Sequence, residues 1–226
     1  MDKPKTQEEL IDYLSQFVTE LRNQKINDIL QKRTRKITVI LEDIYQPHNA
    51  SACLRSCDSF GIQDVHIIEN RNQFNLNPDV SVGSDRWLTL YRYNQKKSNN
   101  TQTCIHRLKS LGYRIVATTP HEREITLDQI SVKQKIALIF GTELNGISDV
   151  ARSEADILAR IPMFGFSESF NISVSVALCL YDVTQRLRQQ TTDWPLNLEE
   201  QQQIRLDWLR QSIRGVKLIE DRFINL

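Results

Sequence analysis

Ile136-Ala137-Leu138-Ile139-Phe140-Gly141-Thr142-Glu143-Leu144-Asn145-Gly146-Ile147-Ser148 runs a short apolar segment straight into a polar loop bounded by two glycines. An apolar run of strand length that ends at a turn signal reads as a buried strand, and such strands belong to parallel sheets covered on both faces. Gly141 and Gly146 have the spacing of a phosphate-binding loop. Ile147-Ser148 follows, however, where a Lys-Ser/Thr pair would be needed to reach phosphates and magnesium, so nucleotide hydrolysis by such a loop is excluded.

Working outward, the same rhythm recurs on both sides. Strand-like runs at Ile37 to Leu41, Asp64 to Ile68, Trp87 to Tyr91, Tyr113 to Thr118 and Ile157 to Ile161 alternate with helical stretches at about Asn49 to Phe60 and Asn100 to Leu111. This predicts an α/β fold with a mainly parallel sheet. Leu10, Ile11, Leu14, Phe17, Val18 and Leu21 follow the spacing of one amphipathic helix, and Thr6 with Glu9 fits a capping box at its start, so a helical extension of about 25 residues is expected at the N-terminus. A long helix is expected from Asn171 to Gln190, with a further amphipathic segment over 197–214 after the Trp194-Pro195 break. Asn70 to Asp79 and Asn94 to Gln102 read as loops. The expected organisation is a helical extension over 1–36, an α/β domain over 37–190 and a second helical extension over 191–226.

Bulk composition fits this plan. With 226 residues, 40% of them hydrophobic and 25% charged, the chain can bury a core without disulfides or metals. Its apolar runs fall far short of the ~20 residues a membrane helix needs, and Met1-Asp2-Lys3-Pro4 opens no signal-peptide pattern, so a cytoplasmic protein with no membrane association is expected. For the same reason the glycosylation-like triplets at Asn49, Asn99 and Asn171 read as chance. Cys53, Cys57, Cys104 and Cys179 show no zinc spacing and read as buried thiols, with no metal site expected.

Net charge is +1, which by itself announces no polyanionic partner. The distribution is more informative: Arg22, Lys25, Lys32, Arg33, Arg35 and Lys36 crowd the end of the first helix, and Arg186, Arg188, Arg205, Arg210, Arg214 and Lys217 lie towards the C-terminus. Such clusters are ordinarily solvated faces unless a function calls for phosphate contacts.

Ligands of parallel sheets bind in loops beyond the C-terminal strand ends. Four such loops stand out: Gln46 to Asn49, Thr118 to Pro120, Gly141 to Gly146, and Pro162 to Asn171. The seven glycines contain no Gly-x-Gly-x-x-Gly, which removes a conventional dinucleotide fingerprint. His48 and His121 fall in loops without a neighbouring nucleophile and orienting group, so a hydrolase triad is unsupported. Taken singly, the remaining candidates have plain structural readings. Glu143 suits a helix N-terminal acid and Asn171 an N-cap. Ala50, Leu54 and Cys57 mark the buried stripe of their helix, and Arg55 shares the opposite face with Ser51 and Asp58, as a surface ion pair would.

Three blocks in order change this reading. Asn49-Ala50-Ser51-Ala52-Cys53-Leu54-Arg55 running to Phe60-Gly61, then Ile139 to Ser148, then Ile161-Pro162-Met163 through Ser169-Phe170-Asn171-Ile172-Ser173-Val174-Ser175, together resemble the SpoU/TrmH branch of the SPOUT methyltransferases over about residues 37–190. The resemblance implies S-adenosylmethionine-dependent methylation of a ribose 2′-hydroxyl in RNA. It further implies a C-terminal deep trefoil knot and a homodimer packed through helices, with the helix from Asn171 the natural candidate. Carried over residue by residue, it places Thr118, Thr119, Gly141, Thr142, Glu143, Gly146, Ile161, Met163, Ser169 and Phe170 around the cofactor. Arg55 would act on the hydroxyl, oriented by Asn49, with Glu143, Ser169 and Asn171 completing the catalytic site.

A ribose hydroxyl is a poor nucleophile until its proton leaves or its developing charge is stabilised. A protonated guanidinium has no acceptor, so Arg55 suits the role of charged donor to the hydroxyl oxygen or a phosphate rather than of base. Helical extensions resemble the tRNA-methylating members, whereas ribosomal-RNA enzymes carry a globular N-terminal domain that residues 1–36 cannot form. The implied substrate is therefore tRNA, at guanosine 18 of the D-loop, with Arg22, Lys32, Arg33, Arg35, Arg186 and Arg188 as RNA contacts. The alternatives are ribosomal RNA, another tRNA nucleotide, or a catalytically silent RNA-binding dimer.

Overall fold

The computed structural model describes residues 6–119 and 125–225, so Pro120 and His121 lie outside the described residues. The described residues fall into two compact units, one drawn from Met1–Arg33 and Pro195–Leu226, the other Thr34–Trp194.

In chain order the elements are α1 (Gln7–Ser15), α2 (Glu20–Leu30), β1 (Ile37–Glu42), α3 (Pro47–Ser59), β2 (Asp64–Ile68), α4 (Pro78–Ser81), β3 (Thr89–Tyr93), α5 (Asn100–Ser110) and β4 (Tyr113–Thr118). There follow β5 (Ile125–Thr126), β6 (Lys135–Phe140), α6 (Asp149–Glu154), β7 (Ile157–Arg160), α7 (Ile172–Gln190), α8 (Leu198–Ser212) and α9 (Val216–Ile224). All strand pairs are parallel, in the order β3-β2-β1-β6-β4-β7-β5.

The central strands β1 and β6 are mostly apolar and buried nearly throughout because both faces are covered. Alternate residues of β1, Ile37, Val39 and Leu41, join the core shared with α3 and α7, while Ile40 turns to the core shared with α5 and α6. Parallel pairing brings the C-terminal ends of β1, β6, β4 and β7 to one edge of the sheet, where the loops of interest emerge.

The helical unit departs from the expected single N-terminal helix. α1 opens on the expected capping box, with Glu9 N–H donating to Thr6 Oγ1 at 3.2 Å and Thr6 N–H to Glu9 Oε2 at 2.7 Å. The helix then breaks, and Thr19 caps a new one by accepting from Arg22 N–H at 3.2 Å. The apolar stripe does not continue across the break: Ile11 and Leu14 are buried, but Phe17 and Leu21 are exposed. α1 and α2 pack on α8, which buries Ile204, Trp208 and Leu209, and α1 also meets α9, an element not anticipated from the sequence.

Two smaller shifts have local causes. The strand expected at Trp87 to Tyr91 begins at Thr89, because Ser84–Trp87 forms a 3-10 turn after Gly83, whose φ is 74°. The polar stretches expected as loops shelter the one-turn α4 and the start of α5, whose cap is Asn99.

Candidate active site

α3 enters through Pro47 at its first turn, where a missing N–H costs nothing, and Gln46 provides no side-chain cap. Asn49 therefore sits inside the first turn with its amide free of capping duty. It is 8% exposed, and its Nδ2 donates to Gln46 Oε1 at 2.6 Å and to Glu143 Oε1 at 3.0 Å. Asn171 reaches the same carboxylate, donating from Nδ2 to Glu143 Oε1 at 2.7 Å and to Asn49 Oδ1 at 3.1 Å. Three residues separated by more than 90 and by 28 positions in sequence thus close one polar triangle.

The simple capping readings are only partly met. Asn171 does cap α7, since its Oδ1 accepts from Ser173 N–H at 2.9 Å, while its amide serves the triangle. Glu143 caps nothing: α6 is capped by Ser148, which is itself held by Glu42. Glu42 is 2% exposed and accepts from Ser148 N–H at 2.8 Å, Ser148 Oγ at 2.7 Å and Thr101 Oγ1 at 2.6 Å. Burial, with the negative charge of Glu143 adding to it, pushes the Cys53 thiol up to about 12. All four cysteines are buried.

The Gly141 to Gly146 loop is pinched shut by a two-way backbone pairing of Thr142 and Gly146, at 2.9 and 2.8 Å. A Cβ on Gly141 would lie 2.0 Å from the Gly146 carbonyl oxygen, and Gly146 has a φ of 64°, so both positions require glycine.

This loop, the end of β4 and the segment after β7 enclose a cleft of about 360 Å³. Every residue expected at the cofactor lines it: Thr118, Thr119, Gly141, Thr142, Glu143, Gly146, Ile161, Met163, Ser169 and Phe170. Leu144 and Asn145, inside the expected Gly141 to Gly146 loop, also line it, as do Phe140, Arg152, Glu168, Ile172 and Ser175, which were not assigned to the cofactor. Phe140 and Ile172 could have been found as the residues flanking two of the loops, and Glu168 lies within the Pro162 to Asn171 loop; for Arg152 the pattern gave no signal.

Arg55 is not among the lining residues. It is exposed on α3 and has no hydrogen-bond or ion-pair partner among the described residues, so the expected surface pair with Asp58 is not formed. Its expected orientation by Asn49 is also corrected, because Asn49 lies within the helix and a separation of six residues puts the two side chains on different faces. Ser51, expected on the open face, is fully buried and accepts from Asn77 N–H at 2.7 Å.

Four of the expected RNA contacts are engaged elsewhere. Arg33 is 1% exposed, with its guanidinium 5.2 Å from the centre of the Trp208 ring. Arg35 pairs with Asp64 at 3.0 Å. Arg186 donates to the Ile130 and Leu127 carbonyls at 2.6 and 2.8 Å and pairs with Asp182. Arg188 stacks on Trp194 and donates to the Phe60 carbonyl at 2.9 Å. Charge count in the sequence could not distinguish these structural cations from Arg22 and Lys32, which are exposed. No group of three potential metal ligands and no helix long and apolar enough to cross a membrane occurs among the described residues.

The chain is similar to several known proteins. The tRNA (guanosine(18)-2'-O)-methyltransferase of Borreliella burgdorferi is 42% identical over 211 residues, covering 93% of this chain and 94% of that protein. The solved A. aeolicus TrmH/SpoU tRNA modifying enzyme superposes with a TM-score of 0.77 at 26% identity, covering 87% of this chain and 98% of the other. The SpoU methyltransferase AviRb from Streptomyces viridochromogenes, solved in complex with AdoMet, shares the fold with a TM-score of 0.59 at 20% identity, over 72% of this chain and 64% of that one. Residues 36–181, spanning the sheet, the pinched loop and the polar triangle, match the SpoU rRNA Methylase family, and the chain belongs to that family.

Proposed function

We propose that the protein transfers a methyl group from S-adenosylmethionine to the ribose 2′-hydroxyl of guanosine 18 in tRNA. The observation that carries this reading is the meeting of the Asn49–Glu143–Asn171 triangle with the cleft through one shared residue, Glu143. The cleft wall suits the cofactor: Ile161, Met163 and Phe170 offer apolar surface, Thr118 and Thr119 offer hydroxyls, and the glycine-bounded loop lets backbone groups approach closely.

When bound, S-adenosylmethionine supplies an electrophilic methyl group whose transfer needs no metal. The chain supplies position and charge. Glu143, fixed by two amide donors on Oε1, orients the ribose hydroxyl by accepting from it, and Ser169 completes the polar wall. Arg55 donates from the open face of α3 to the hydroxyl oxygen or a neighbouring phosphate, stabilising charge that develops as the proton leaves to a phosphate oxygen or water. Arg22 and Lys32 contact the RNA backbone.

The strand order, in which β6 lies between β1 and β4 and β7 between β4 and β5, supports a C-terminal trefoil knot through the two cleft loops. Val174, Leu178 and Tyr181 form an exposed apolar stripe on α7 at helical spacing, which supports a homodimer built on that helix. A tRNA substrate supports a cytoplasmic location.

Labelled cofactor offered with bulk tRNA and with ribosomal RNA, followed by nucleoside mapping, tests the reading. Incorporation at tRNA position 18 is expected, and absence of incorporation into tRNA overturns it. Arg55→Lys is expected to keep tRNA binding and lose methylation about 100-fold or more, the scale of losing one charge-stabilising donor; near-normal turnover removes Arg55 from the mechanism.

A further inference from the structure

The pinched loop walls a second cleft, of about 410 Å³, bounded by Glu42 and Asp43 at the end of β1, by Asn70 to Asn72 after β2, and by the loop itself. Thr142, Asn145 and Gly146 face both clefts. The two clefts thus share one wall, the loop that carries Glu143, with Glu143 itself lining the first cleft.

Asp43 lies at the head of this second cleft. It has a φ of 55° and is 9% exposed. Its Oδ1 accepts from three successive backbone N–H groups, of Asn70 at 2.7 Å, Arg71 at 2.8 Å and Asn72 at 3.3 Å, and its own carbonyl accepts from Asn72 Nδ2 at 2.9 Å. Ordering the 70–72 turn uses only that one carboxylate oxygen. Oδ2 has no partner among the described residues, although the side chain lines the cleft, and the Arg71 and Asn145 side chains beside it have none either.

A fixed acceptor next to an open guanidinium has a definite complement. Guanine presents N1–H and the N2 amine as donors on one edge, and O6 and N7 as acceptors that suit arginine. Adenine would turn its N1 acceptor against the carboxylate, leaving a buried acceptor unpaired. We infer that this cleft receives the guanine base of the nucleotide being methylated, with Asp43 Oδ2 accepting from N1–H and the N2 amine and Arg71 donating to O6 and N7. Asp43 and Arg71 are then specificity-determining residues, and the inference rests on the proposed ribose methylation.

Asp43→Asn isolates the effect, because an asparagine retains Oδ1 for the three backbone donors, tolerates positive φ, and replaces only the free oxygen with a donor. The experiment compares kcat/KM of the wild-type and variant full-length enzymes on tRNA transcripts carrying guanosine, inosine or adenosine at position 18. Each ratio is compared between enzymes on the same transcripts, so effects of the base change on the RNA cancel. The wild type is expected to prefer guanosine to inosine and adenosine by about tenfold or more. Asp43→Asn is expected to lower the guanosine value about tenfold, to collapse the preference over inosine and to reduce that over adenosine, with cofactor affinity unchanged. Arg71→Ala, at an exposed position that does not threaten folding, is expected to collapse the preference for guanosine over 7-deazaguanosine, which lacks N7 but keeps the N1–H and N2 donors assigned to Asp43. Unchanged ratios in both variants overturn the inference, as does a wild type that methylates all bases equally. A wild type that methylates no tRNA overturns the proposed function instead.

Discussion

The two loops that wall the cleft at the candidate site are built in opposite ways. Gly141 to Ser148 is closed on itself by the Thr142–Gly146 pairing and clamped at its far end by the buried Glu42. Ile161 to Asn171 is open, with every residue from Phe164 to Phe170 exposed and with Phe164 and Phe166 at 98% and 109% of full exposure. A loop with few buried apolar contacts sits at the low-stability end of a fold, whereas a doubly anchored one opens only at the cost of its partners. One wall of the site is thus preorganised, and the other is free to adapt to what enters.

The largest expected effect breaks the rigid wall directly. Gly141→Ala places a methyl group against the Gly146 carbonyl and is expected to abolish cofactor binding by calorimetry while lowering Tm; near-normal affinity would mean that this loop opens as readily as its neighbour. Glu42→Ala comes next, since it leaves Ser148 and Thr101 without their buried acceptor. Loss of such an acceptor costs about 1–3 kcal/mol, and denaturant unfolding of the variant measures it. If stability is unchanged, the clamp contributes nothing to the difference between the loops. Phe164→Ala is expected to change stability by less than about 0.5 kcal/mol, as exposed substitutions do; a larger loss would show that the open wall is already packed.

The sheet was largely legible from the sequence because strands covered on both faces leave short apolar runs, and β2 and β4 match their expected bounds residue for residue. Where another element shares the apolar signal, the bounds drift: Trp87 belongs to a turn rather than to β3, and the N-terminal stripe conceals the break before Thr19. The cleft residues were legible through the resemblance of three blocks, which no periodicity would have singled out. Glu42 and Asp43 were not, because a carboxylate at the end of an apolar strand looks like its polar terminus. What defines Glu42 is its partners, 59 and 106 residues away. The basic clusters misled for the complementary reason: a guanidinium stacked on Trp208 or bonded to the Leu127 carbonyl has the same letter as one in solvent.

Asn171 holds two positions at once. Its carbonyl oxygen secures the first turn of α7, and its amide holds Glu143 and Asn49. The opening of a helix and the placement of the Glu143 carboxylate therefore share one rotamer. Whatever pulls Glu143 into place also stiffens the start of α7, so the Ser173 amide, through its rate of hydrogen exchange, serves as a built-in gauge of whether the site is engaged.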